Sequence, residues 1–265
     1  MLLNKYTIIS NISNGEFGEV LKVAYNDKVY AVKYGAKELI KYELQIYKQL
    51  KSCSNISSIY DVFEYNNNMY MVLDLYAMTL VDYKLRNYTQ QNYFERCITI
   101  IKSLIIIIKT IHENNIVHRD LKPTNICLDS NNKLYIIDFG IAKIYKHANV
   151  HNSETKIKGL IGSINFSSLN VINLIEPSRR DDIESLFYNL IYLLLNNENY
   201  KLYDSFNSYE KKDILTITYL MEHTLNIQKF NYELLNRLFN YIRRLKYNQE
   251  PKYDYIVELL SKIVK

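Results

Sequence analysis

Apolar and polar positions alternate at period two in five short runs near the start of the chain: KYTIIS, GEVLKVAY, KVYAVKY, ISSIYDVFEY and NMYMVLDL. Successive side chains of a strand point to opposite faces, so this alternation predicts half-buried β-strands. Asn, Asp and Gly separate the runs, and Asn14–Gly15 and Asn26–Asp27 predict turns. One stretch between them changes period. In residues 36–50, Leu39, Tyr42, Ile46 and Leu50 recur at helical spacing, which predicts a helix with those side chains on one apolar face.

After Ala77 the period lengthens. YFERCITIIKSLIIIIKTIHEN predicts a long helix. SRRDDIESLFYNLIYLLL predicts another, apolar nearly all round from Leu186 to Leu195, and such a helix belongs inside a lobe. The tail NYELLNRLFNYIRRLKYNQEPKYDYIVELLSKIV predicts two helices broken near Pro251. The fold class is therefore α+β: a small sheet-rich lobe over about residues 1–75 and a larger helical lobe over about 79–265, joined at about 74–78.

Composition agrees with a folded core: 265 residues, 48% apolar and 23% charged, with 3 Pro and 6 Gly leaving no low-complexity linker. The net charge of +5 is mild, and no dense Lys/Arg run argues for a nucleic-acid partner. The most apolar run, Ile98 to Ile111, carries Lys102 and Lys109 and is too short to span a bilayer, so no membrane partner is expected. The start of the chain lacks a secretory apolar region. Cys53, Cys97 and Cys127 have no metal-ligand spacing and read as reduced thiols of a cytoplasmic or nuclear protein. His112 and His223 read as structural or surface residues.

Several segments carry chemistry. Gly15 and Gly18 lie between two strand runs, where missing Cβ atoms let backbone N–H groups approach a polyphosphate; the same pattern also makes a plain hairpin. Lys33 ends the strand VYAVK. A lysine there either snorkels to water or, held by an acid, stands as a fixed cation against phosphates. Glu43 is the candidate acid, its alternative being a solvated helix charge. In HRDLKPTN, Asp120 suits the proton of an incoming hydroxyl, Lys122 the charge on a moving phosphoryl group, and Asn125 a Mg²⁺ ion through its amide oxygen. In DFG, Asp138 offers the same hard cation a carboxylate. Phosphoryl transfer needs cradle, cation, metal ligands and base together, and these pieces follow the order and approximate spacing of the protein-kinase signature.

On these residues the chain resembles the eukaryotic-type protein kinases over nearly its whole length. YIIDFGIAKIYK (135–146), PSRRDDIESLFYNLIYLL (177–194) and LKYNQEPKYDYI (245–256) are similar to the casein kinase 1 group, which includes the vaccinia-related kinases and their poxvirus relatives. LKPTN after Asp120 is similar to Ser/Thr kinases rather than tyrosine kinases. The resemblance implies a single bilobal kinase domain over 1–265, with ATP and Mg²⁺ as cofactors and protein Ser/Thr hydroxyls as substrates. It places Gly15, Gly18 and Val20 over the nucleotide, Ala31 on the adenine roof, Leu73 as gatekeeper and Asp74, Leu75 and Tyr76 in the hinge. Lys33 contacts the phosphates and pairs with Glu43. Asp120 is the base, and Asn125 and Asp138 bind the metal. Ser163 links Asp120 and Lys122, and Asp182 braces the backbone near His118 and Arg119. It further implies a monomer in the cytoplasm or nucleus, or in a host's cytoplasm if the source is viral.

The chain also departs from that pattern. Ser13 replaces the first glycine of the loop, Phe187 and Ala77 stand where casein kinase 1 has glycines, and Asn165 takes the place of an arginine that holds a phosphate on primed substrates. The short Lys33–Glu43 spacing implies a helix that begins early. Arg179 and Arg180 read as ion-paired structural residues rather than a phosphate site. Lys143, Lys146, His147, Lys156 and Lys158 make the activation segment basic, which either is ordinary solvated charge or favours acidic substrates. Two other classes use the same fold: a pseudokinase that regulates a partner, and a small-molecule phosphotransferase. The first would be expected to lack a catalytic Lys, Asp or Asn, and none is missing. The casein-kinase-like segments argue against the second.

Overall fold

A computed structural model describes residues 2–15, 18–222 and 230–264 of the chain. Contacts divide it into two units, Met1–Met78 with Cys127–Ala142, and Thr79–Ile126 with Lys143–Lys265. Residues 127–142 were expected among the helices but belong to the sheet unit. The Ile136 N–H donates to the Asn55 carbonyl at 3.0 Å, Asn55 Nδ2 returns a bond to the Leu134 carbonyl at 2.7 Å, and Tyr135 stacks on Tyr76 with ring centroids 4.4 Å apart. His223 and the pair Glu16–Phe17 lie outside the described residues.

The first unit is an antiparallel sheet of β1 (Leu2–Leu3), β2 (Tyr6–Gly15), β3 (Gly18–Tyr25), β4 (Lys28–Ala36), β5 (Ile59–Tyr65) and β6 (Asn68–Asp74), in the order β1-β2-β3-β4-β6-β5. Its five long strands are those the alternation predicted. Leu3, Tyr6, Val23, Val32, Tyr70 and Val72 form the core of one face. Tyr70 stacks between Tyr34 and Phe63, at 4.8 and 5.1 Å, so aromatic cross-strand packing carries much of this small core. Asn26 and Asp27 have φ of 48° and 58°, and Asn66 and Asn67 have 45° and 63°. Two successive left-handed residues make the tight turn whose twist matches its strands. Asn14–Gly15, expected as a turn, is still strand, and Gly15 pairs with Gly18.

The helix α1 (Lys37–Gln49) starts directly after β4, as the short spacing implied. Its buried face matches the expected one in part: Ile46 and Leu50 are buried, Leu39 and Tyr42 are not. Ile40, Glu43 and Tyr47 also point inward. The polar Glu43 lies in the buried stripe because Lys33 receives it there, and hydrophobic periodicity cannot see that compensation.

In the second unit α2 (Leu80–Asn87) opens with a capping box between Thr79 and Asp82. It is followed by α3 (Tyr93–Glu113), α4 (Leu169–Ile172), α5 (Arg179–Leu194), α6 (Asn197–Ser205), α7 (Ile214–Glu222), α8 (Tyr232–Arg243) and α9 (Tyr253–Ser261). As predicted, α5 is buried all round, and Phe187 fills its place against Phe239 with centroids 5.0 Å apart. Arg179 donates to the Asn248 carbonyl at 2.8 Å and Arg180 to the Leu245 carbonyl at 3.2 Å, with Glu154 on Arg180 at 3.1 Å. Both arginines therefore fasten the segment before α9, the structural role expected of them. No helix of the described residues is long and apolar enough to cross a membrane.

The left-handed turn at Asn66–Asn67 sets a test of the sheet. Asn67→Gly should leave the unfolding free energy within about 0.5 kcal/mol of the wild type, whereas Asn67→Val should lower it by about 1–2 kcal/mol, because a branched Cβ opposes positive φ. Urea unfolding of the two variants checks this.

Candidate active site

In the sheet unit, β4 pairs with both β3 and β6, and Lys33 sits across from Val20 on one side and Met71 on the other. Its ammonium lies 2.6 Å from Glu43 Oε2 and 2.6 Å from Asp138 Oδ1, with the lysine side chain 7% exposed. Burial works against the Lys33 charge, but the two carboxylates outweigh it and hold its pKa above the ordinary lysine value. Burial pushes the Glu43 carboxyl up, while Lys33 and a hydrogen bond from the Phe139 N–H (3.1 Å) pull it back. Lys33 is thus a fixed cation between two acids, not a snorkelling surface lysine.

Gly18 has φ +130°, and a Cβ there would come within 2.7 Å of the Tyr34 carbonyl oxygen. Its glycine is dictated by close strand approach as well as by backbone freedom. Ala31 and Leu73 are register partners on β4 and β6, and Leu73 is buried. Asp74 turns its carboxylate back to the Ser58 N–H and the Tyr60 hydroxyl, at 2.8 and 2.7 Å. Tyr76 accepts from Ser57 Oγ at 2.9 Å. The side chains of Asp74 and Tyr76 are occupied within the sheet unit, which suits a hinge that meets a ligand through backbone groups.

In the helical unit a second set assembles around Asp120. Its Oδ2 lies 2.7 Å from Lys122 Nζ, and its Oδ1 accepts the Ser163 N–H at 2.9 Å. Lys122 Nζ also donates to Ser163 Oγ at 3.0 Å, so Ser163 contacts both Asp120 and Lys122. Asn125 ends the 3₁₀ turn Pro123–Asn125 and donates Nδ2 to the Asp120 carbonyl at 3.0 Å and to Asp120 Oδ2 at 3.2 Å. These bonds fix the amide flip and turn the oxygen, the atom a hard cation needs, the other way.

Asp182, in the first turn of α5, braces this loop from beneath. Its Oδ2 accepts the His118 N–H at 2.7 Å and its Oδ1 the Arg119 N–H at 2.9 Å. His112 Nε2 adds a third bond at 2.9 Å, and His112 Nδ1 meets the Tyr253 hydroxyl at 2.7 Å. Burial lowers the His112 pKa more than Asp182 raises it, so the ring is neutral. A carboxylate only accepts, which assigns the ring proton to Nε2 and leaves Nδ1 to accept from Tyr253. Burial pushes Asp182 up, but the His112 bond, its neighbour His118 and the backbone donors bring it below the ordinary carboxylate value.

Three contributors were not singled out in the sequence. Gly162 has φ +77°, and a Cβ there would meet the Arg119 carbonyl at 2.5 Å and Asp120 Oδ1 at 3.2 Å. Glu176, nearly buried, lies 3.5 Å from the Arg119 guanidinium and 3.2 Å from Lys143 Nζ. Tyr42 of α1 donates to the Ala142 carbonyl at 2.7 Å. The glycine next to Ser163 was a signal for the first; nothing marked Glu176, and spacing had placed Tyr42 on the apolar face of its helix without its bond to Ala142. Asn165 donates to Asp204 at 2.7 Å and accepts from Lys211 Nζ at 2.7 Å, a neutral link where the resembled family has an arginine.

A six-stranded antiparallel sheet, a mainly helical second unit and these two sets of polar residues define a class, the protein kinases. A protein kinase domain model matches residues 6–262, and the chain belongs to that family. It is 32% identical over 276 aligned positions to a probable casein kinase I homolog of Encephalitozoon cuniculi (strain GB-M1), a match covering 97% of this chain and 84% of that protein.

Two outcomes follow from the loop geometry. Gly162→Ala should lower phosphate transfer by about 100-fold or more, the scale of a mispositioned catalytic group, while the chain still unfolds cooperatively; steady-state assays beside thermal melts check this. His112 is held neutral in the folded chain, whereas the unfolded residue takes a proton near pH 6.5. Its contribution is therefore complete above that pH and is lost as the pH falls through it. The stability gap between wild type and His112→Gln should shrink as the pH falls from about 7.5 to about 5.5 in urea titrations. A widening gap would mean a protonated ring.

Proposed function

We propose that this chain is a Ser/Thr protein kinase of the casein kinase 1 type, moving the γ-phosphoryl group of ATP to protein Ser or Thr hydroxyls with Mg²⁺. The observation that carries the reading is the complete set of reactive side chains, each held by its own partners. Lys33 has Glu43 and Asp138, and Asp120 has Lys122, Ser163 and Asn125.

Asp120 orients the incoming hydroxyl and takes its proton; each carboxylate oxygen keeps lone pairs beyond the bonds it already accepts. Lys122 neutralises charge on the transferring group, and Ser163 keeps the lysine at the acid. Lys33 binds the phosphates, and Glu43 keeps it from drifting. Asp138 and Asn125 supply oxygen donors suited to Mg²⁺, which when bound neutralises phosphate charge. Positioning and electrostatics supply most of the rate.

Lys156 and Lys158 add positive charge to the activation segment, which favours acidic acceptors. The vaccinia-related features and a viral source remain part of this reading, supported by the segments quoted above. Three buried free cysteines suit a reducing compartment, the cytoplasm or nucleus, and the chain is proposed to act as a monomer.

The test is transfer of labelled γ-phosphate from Mg-ATP to casein, to a basic protein and to the chain itself, beside Asp120→Asn. Incorporation into casein above the basic protein, reduced about 100-fold or more in the variant, is expected. Equal labelling by wild type and variant, with ATP still raising the melting temperature, would replace the kinase by a nucleotide-binding regulator.

A further inference from the structure

The segment Asp138–Ala142 is held by α1 at both ends. Near its start the Phe139 N–H donates to Glu43 Oε1 at 3.1 Å. At its end the Ala142 carbonyl accepts from the Tyr42 hydroxyl at 2.7 Å. Between these points the Ala142 N–H donates to the Phe139 carbonyl at 3.1 Å and closes a turn. The Phe139 ring meets the edge of Tyr47, one turn further along α1, with centroids 5.2 Å apart.

This segment needs holding. Asp138 has φ +65°, a left-handed conformation that side-chain-bearing residues disfavour. Local bonds to Asp138 Oδ1 from Lys33 and the Gly140 N–H (3.3 Å) oppose that strain at one end only. The other end turns on Ala142, and the Tyr42 hydroxyl is the side-chain donor on its carbonyl. Tyr42 is 39% exposed, so its ring contributes modestly to the core. A bond at the rim of a unit adds little to global stability but governs local opening.

We propose that Tyr42 is a positioning residue for phosphate transfer: its hydroxyl ties the far end of the segment carrying Asp138 to the helix carrying Glu43. Through that tie, Glu43, Lys33 and Asp138 keep one arrangement. The inference rests on the kinase reading above. It concerns a residue outside the quoted motifs.

Tyr42→Phe removes the hydroxyl and keeps the ring. In the full chain, amide hydrogen exchange at Phe139 and Ala142 should accelerate about fivefold, the scale of one lost hydrogen bond. kcat toward casein should fall about three- to fivefold, with the casein KM and the urea midpoint unchanged. Tyr255→Phe, which removes an exposed hydroxyl bonded to Arg237 in the helical unit, should change none of these. Wild-type kcat in Tyr42→Phe overturns the positioning role, whether or not exchange accelerates. A fall in kcat with unchanged exchange, or a matching fall in Tyr255→Phe, overturns it as well. A wild type that labels no acceptor above Asp120→Asn overturns the kinase reading itself; the positioning role falls with it, and the exchange data still show whether the tie exists.

Discussion

A carboxylate taken wholly out of water must find donors, and Asp182 finds three: two successive backbone N–H groups and a neutral imidazole. Aiming the N–H groups of His118 and Arg119 at one carboxylate goes with a sharply bent chain, and Arg119 has φ +74°. The Arg119 carbonyl then lies so close to residue 162 that only glycine fits. Asp120, one residue on, is delivered to Lys122, Ser163 and Asn125 by this bend. Its placement therefore depends on a charge buried in the first turn of α5. Losing Asp182 would leave two buried N–H groups unpaired and the strained bend unsupported.

The sheet unit solves a related problem with opposite means. Lys33 lies mid-sheet, where an unpaired ammonium would be costly, and two carboxylates surround it. Here all three members are side chains, and each comes from a different stretch of chain: Lys33 from β4, Glu43 from α1 and Asp138 from the segment that follows Leu134–Ile136. The arrangement therefore depends on β4 and α1 keeping their spacing, whereas the Asp182 brace is made largely to backbone N–H groups. The helical unit has rigid backbone anchoring; the sheet unit has a set that holds only while its elements stay in place.

Much of this was legible in the chain. The strands, the long helices and the all-buried character of α5 followed from periodicity, because each element buries a face of its own period. HRDLKPTN and DFG located the polar residues because the chemistry requires particular groups in a particular order. The failures share a cause. The inward face of α1 was read in part: Ile46 and Leu50 are buried as expected, but Leu39 and Tyr42 are not, and the buried acid Glu43 lies outside any hydrophobic pattern. Residues 127–142 were grouped with the helical lobe because they follow α3 in the chain; only long-range contacts such as those of Ile136 and Leu134 with Asn55 place them with the sheet. Gly162, Glu176 and Tyr42 act through contacts with residues far along the chain, which no local pattern records.

Among the described residues, the asparagines that turn left-handed are Asn4, Asn26, Asn66, Asn67, Asn92, Asn115, Asn132 and Asn149, while the glycines whose added Cβ would strike backbone are Gly18 and Gly162. Asparagine tolerates that conformation, because its amide can bond locally, and it retains a Cβ. A glycine at each of these turns would enlarge the set of shapes open to the denatured chain, and folding would have to gather that larger ensemble each time. By giving its turns to asparagine, the protein starts folding from a stiffer random state. Part of its stability thus resides in what the unfolded polymer cannot do.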